Sequence, residues 1–144
     1  LKLINENQFD TIYHEHFSYL SLNTVKTIFQ KNGLYIFDVE EYSTHGGSLR
    51  VFARRLDNKI SEVSNRTMDI LKIEKLAGIM SIDFYKNFQE RANIMSNNLI
   101  NFLVKANHDN KKVVAYGAAA KGNTFLNYCN IDNSLIKYVC DAAK

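Results

Sequence analysis

The chain has 144 residues and a net charge of +3, with 46% hydrophobic against 23% charged residues, enough apolar material for one core or two small ones and too much for a disordered tail. Its positive charges are dispersed, with Arg54–Arg55 and Lys111–Lys112 as doublets, which argues against a nucleic-acid-binding stripe. No apolar run reaches bilayer length and no signal-peptide pattern opens the chain, so a cytoplasmic setting away from membranes is expected.

Leu1-Lys2-Leu3-Ile4-Asn5 carries no initiator Met and reads as the interior of a longer protein. The first predicted helix runs through Val25, Ile28 and Phe29 at helical spacing, capped by Ser21 or Asn23 and stopped at Asn32-Gly33. Leu34–Val39 and Ser48–Arg54 are rich in β-branched and aromatic residues on either side of Gly46-Gly47, which predicts an antiparallel hairpin. Residues from about 60 to 108 read as helical. One helix passes through Ile70, Leu71 and Leu76 and ends at Gly78. A second, capped by Ser81, presents Phe84, Phe88, Ala92, Met95, Leu99 and Leu103 as one apolar stripe, read as core packing.

After the polar turn His108-Asp109-Asn110, Val113–Tyr116 reads as a buried parallel strand. A small-residue turn, a helix over Thr124–Cys129 and a strand over Leu135–Asp141 complete one strand–helix–strand unit, which predicts an incomplete domain. Cys129 and Cys140 show no CxxC spacing and read as reduced, buried thiols.

Three blocks carry the candidate chemistry. Tyr13-His14-Glu15-His16 packs a phenol, two imidazoles and a carboxylate into four positions. Histidine titrates nearest neutral pH and suits removal of a weakly acidic proton, while a neighbouring acid can orient it and a phenol can stabilise an oxyanion. Such residues before a helix also serve as caps and solvated groups. His45-Gly46-Gly47-Ser48 is first a tight turn, and second a place where a ligand approaches the backbone while His45 or Arg50 contacts it. Gly117-Ala118-Ala119-Ala120-Lys121-Gly122-Asn123-Thr124 joins a strand to a helix. It suits an anion or nucleotide through free N–H groups and the Lys121 charge, and equally suits close packing; it is neither GxGxxG nor a Walker loop. His14, His16, His45 and a cysteine lack HExxH or CxxC spacing, so no metal is assigned.

On these residues the chain resembles the SAM-dependent deoxysugar C-methyltransferases. The resemblance rests on Phe9-Asp10-x-Ile12-Tyr13-His14-Glu15-His16-Phe17, on His45–Arg50, and on Tyr116–Thr124 with Asn127-Tyr128-Cys129, in family order along nearly the whole chain. It implies an α/β fold in three parts. Residues 1–57 would end a class I methyltransferase-type SAM domain with its antiparallel hairpin, 58–109 would be a helical linker, and 110–144 would start a Rossmann-like carboxyl-terminal domain. It implies His16 as general base beside Tyr13 and Glu15, with substrate contacts from His45, Gly46, Gly47, Arg50, Gly117, Lys121, Gly122, Asn123 and Thr124.

The implied reaction removes a proton next to a ketone of a nucleotide-linked keto-deoxysugar and methylates the enolate. S-adenosyl-L-methionine would be held mainly by upstream residues, zinc would belong only to an amino-terminal domain, and the fragment would be inactive alone. A stand-alone nucleotide- or sugar-binding module and a non-catalytic interaction fragment are the rival readings.

Overall fold

The computed structural model describes residues 1–57 and 62–142; the first residues of the expected linker, 58–61, and the last two of the expected carboxyl-terminal domain, 143–144, lie outside the described residues. The fold is mixed α/β, divided into two compact units. The first comprises residues 1–6 and 18–86, the second residues 7–17 and 87–144.

In the first unit a short helix α1 (Lys2–Asn5) is separate from α2 (Leu22–Lys31). The Ser21 hydroxyl accepts from the Thr24 N–H and starts α2, as its sequence signal predicts, and Gly33 at φ +74° ends it. Strands β1 (Leu34–Tyr42) and β2 (Ser48–Arg55) then pair antiparallel, with Val39 opposite Val51 and Glu40 opposite Arg50. The register shifts between Ile36 and Asp38. This bulge at Phe37 turns its carbonyl to accept the Ser64 N–H at 2.9 Å, so the hairpin itself receives the start of the next helix.

That helix, α3 (Asn65–Ala77), begins at Ser64, whose hydroxyl accepts from Thr67 N–H, and ends at Gly78 in the left-handed conformation. Leu22, Ile36 and Val39 form the buried centre, with Val25, Phe29, Val51, Ile70 and Leu71 packed round it. Helix α2, one face of the hairpin and α3 therefore share a single apolar contact, which is what the alternating and helical spacings of these residues require.

The apolar stripe expected from Phe84 to Leu103 is interrupted. Ser81 caps a 3-10 turn, Ile82–Tyr85, and not the long helix; the Tyr85 hydroxyl donates to the Ile79 carbonyl at 2.8 Å and holds that turn in place. Helix α4 (Phe88–His108) starts after it and belongs to the second unit. Its buried line is Ala92, Ser96, Leu103 and Ala106, while Met95 is exposed and Leu99 only half-buried. Ala92 and Leu103 of the expected stripe are therefore buried, whereas Phe84 and Phe88 are half-buried like Leu99, and Ser96 and Ala106 complete the buried line.

The remaining elements of the second unit are a 3-10 turn over Phe9–Thr11, strand β3 (Ala115–Tyr116), helix α5 (Ala120–Tyr128) and strand β4 (Val139–Cys140), with β3 and β4 paired parallel. The strand–helix–strand order matches the expectation, but three details differ. The strands are two residues each, because Leu135 and Ile136 are engaged in a turn on the Asp132 carbonyl. The expected buried strand is largely exposed, with Tyr116 at 78%, since a two-residue ladder lacks the covered faces of a parallel sheet. Cys129 is buried as expected, whereas Cys140 is exposed on that same short ladder.

Candidate functional site

The Tyr13–His16 block lies in the second unit, next in sequence to the 3-10 turn that Phe9 anchors. Phe9 is buried against α5, its ring 5.6 Å from Phe125 edge-on and 4.7 Å from Tyr128. The Tyr128 hydroxyl lies 2.6 Å from both Asn93 Oδ1 and Gln89 Nε2 on α4, donating to the first and accepting from the second. Phe9 and the aromatic positions of α5 thus make one apolar plug with a polar lid.

The chain then turns through Thr11, whose side chain is buried and whose carbonyl accepts from the Tyr13 N–H at 3.2 Å. His16 returns to the same carbonyl: its Nδ1 stands 2.8 Å from Thr11 O. A carbonyl only accepts, so Nδ1 carries the proton, and in the neutral ring the lone pair lies at Nε2. The Tyr13 ring stacks on the imidazole with centroids 4.2 Å apart and an interplanar angle of 35°. His16 and Tyr13 are half-buried, whereas His14 and Glu15 are exposed. An oriented imidazole with a defined basic nitrogen, beside a phenol, has the parts for proton removal next to a carbonyl.

The turn candidates belong to the first unit. His45, Gly46 and Gly47 take φ values of +55°, +86° and +125° in succession, which closes the loop between β1 and β2. A Cβ on Gly47 would stand 2.7 Å from Lys2 Cδ. The space that glycine leaves is therefore filled by the methylenes of Lys2, whose side chain is 54% exposed. Arg50 pairs with Glu40 at 3.4 Å and lies over the Tyr42 ring at 4.5 Å, while the Tyr42 hydroxyl donates to the same Glu40 carboxylate at 2.8 Å. That bond, ahead of partial desolvation, raises the Tyr42 pKa above its ordinary value.

The third block is corrected in one respect. Helix α5 begins at Ala120 and not at Thr124, so Lys121, Gly122, Asn123 and Thr124 are its opening residues and only Gly117–Ala119 form the turn. Gly117, at φ +102°, donates its N–H to the Cys140 carbonyl at 2.7 Å. A Cβ on Gly122 would meet the Gly117 carbonyl oxygen at 3.3 Å, which ties both glycines to close packing of helix on turn. Lys121 is half-buried.

The sequence reading missed Asp141, whose carboxylate accepts from the Ala118 N–H at 2.5 Å.

Among the described residues no three His, Cys, Asp or Glu side chains gather as a metal-binding group, and no helix is long and apolar enough to cross a membrane. The family described as the C-methyltransferase C-terminal domain matches residues 43–144. C-methyltransferase NovU of Streptomyces niveus is 36% identical over 98% of this chain, and the chain spans 33% of that relative's length.

Proposed function

This chain belongs to the C-methyltransferase family, and we propose that it forms part of a SAM-dependent enzyme methylating a carbon next to the ketone of a nucleotide-linked deoxysugar. The observation that carries the reading is the 2.8 Å bond from His16 Nδ1 to the Thr11 carbonyl, which directs the imidazole's basic lone pair to Nε2. In the proposed step Nε2 takes the proton from the carbon beside the ketone, and the electron pair moves into the carbonyl to give an enolate. The Tyr13 phenol, on a ring stacked against the same imidazole, donates to the oxygen as its charge grows. Glu15, in the same short turn, offsets the positive charge that His16 acquires.

The methyl donor supplies an electrophilic methyl group for the enolate carbon. In this reading it is held by a part of the protein beyond these residues. Zinc takes no part in the steps assigned here. The start of α5 is proposed to face the nucleotide, with the Lys121 ammonium toward the diphosphate. In the first unit, taken by itself, His45, Gly46, Gly47 and Arg50 are proposed as substrate contacts.

The test uses the complete protein, with a nucleotide-linked keto-deoxysugar in heavy water and no methyl donor. Deuterium enters the carbon to be methylated in the wild-type protein, and the His16→Asn variant loses that exchange. Turnover with the donor present drops about 10²–10⁴-fold, the range for loss of a general base. Exchange and turnover close to wild type in a folded His16→Asn protein remove the assignment.

A further inference from the structure

We infer that Phe9 is a positioning residue for His16: seated on α5, it holds the turn whose Thr11 carbonyl fixes the imidazole as the Nδ1–H tautomer. The inference rests on the reading of His16 as the base, and it concerns how the correct nitrogen is presented.

The path is continuous within the second unit. Phe9 is only 6% exposed, and its ring is held by Phe125 and Tyr128 on successive turns of α5. Tyr128 is fixed in turn by Asn93 and Gln89 of α4. From Phe9 the backbone closes tightly: the Ile12 N–H donates to the Phe9 carbonyl at 3.0 Å, and the Thr11 N–H to Gln8 at 3.2 Å. These bonds leave the Thr11 carbonyl little freedom, and the His16 Nδ1–H meets it at 2.8 Å.

A half-turn of the ring would put Cδ2–H against that carbonyl and lose the bond, and the stacked Tyr13 ring limits the alternatives. An imidazole without such an acceptor carries its proton preferentially on Nε2, the nitrogen that must be bare to act as base. The seat of Phe9 thus converts packing on α5 into a choice of tautomer.

The test is long-range proton–nitrogen NMR on the complete protein labelled with 15N-histidine, the His16 signals being identified by their loss in His16→Asn. In its neutral form the wild-type ring is expected to carry the proton on Nδ1. Phe9→Leu, which keeps an apolar plug, retains that form. Phe9→Ala empties the seat and shifts the population to the Nε2–H form, with circular dichroism showing the fold intact. Should Phe9→Ala not fold, Phe9→Val carries the same expectation of a shift.

A wild-type His16 found chiefly as the Nε2–H tautomer overturns the inference, as does a folded seat variant with an unaltered tautomer. The two readings fail separately. A wrong tautomer leaves His16 able to act through Nδ1, whereas near-normal turnover in His16→Asn removes the base and leaves this geometry standing.

Discussion

Glu74 caps the helix that begins at Leu22. Its carboxylate accepts from the Leu22 N–H at 2.8 Å and the Asn23 N–H at 2.9 Å, with the Asn23 amide adding a third bond at 2.8 Å. Glu74 is 2% exposed, so a side chain of α3 satisfies donors of α2 away from water. Glu74→Ala leaves the buried Leu22 N–H and the half-buried Asn23 N–H without this acceptor and is expected to cost about 2–3 kcal/mol. Glu74→Gln keeps one acceptor oxygen and should cost less. Urea unfolding of the complete protein measures both, and an alanine variant as stable as wild type would show that water replaces the carboxylate.

Asp38 gives a pH dependence. The Ser64 hydroxyl bond, with help from Arg66 and the Val39 N–H and against some desolvation, holds its carboxyl below the ordinary value of 3.8. A folded-state value depressed in this way stabilises the fold above the unfolded-state value, and the contribution disappears as pH falls through the folded-state value. Asp38→Asn should therefore shrink the stability difference between pH 6 and pH 3, by about the part that Asp38 supplies. Acid-unfolding midpoints that coincide for variant and wild type would refute it.

Lys121 tests the start of α5. If it faces a diphosphate, Lys121→Ala in the complete protein weakens nucleotide-sugar binding about ten- to hundredfold, equivalent to about 1.5–3 kcal/mol for a charge-assisted bond. Affinity for the methyl donor stays nearly unchanged. Calorimetry that finds the sugar's binding constant unaltered returns this segment to close packing, which the Gly117–Gly122 contact already explains.

Arg50 separates a structural from a binding role. Its pairing with Glu40 is exposed, and its place over Tyr42 is a surface cation–π contact, so Arg50→Ala should cost no more than about 1 kcal/mol of stability. A substrate contact would instead appear as a rise of tenfold or more in the dissociation constant of the nucleotide-linked sugar. Unchanged binding in the Arg50→Ala protein would confine this residue to the hairpin.

Local signals carried much of the secondary structure. Ser21 and Gly33 bound α2, Gly78 ends α3, and alternation around Gly46-Gly47 marks the hairpin, because caps, left-handed glycines and a two-residue period act over a few neighbouring residues. The Tyr13–His16 block was visible as a set of residue types, and its resemblance named a family that residues 43–144 match. Tertiary structure decided the rest. Tyr85 reaching Ile79 divided Phe84 from α4, and the bulge at Phe37 received Ser64. Glu74 found Leu22 across 52 residues, and Phe9 found Phe125 on α5. No periodicity encodes such pairings, since each depends on where the folded chain brings distant side chains and on which buried donor or ring needs a partner there. The same holds for His16: its residue type was written in the sequence, while the Thr11 carbonyl that stands 2.8 Å from its Nδ1 was placed by the folded turn.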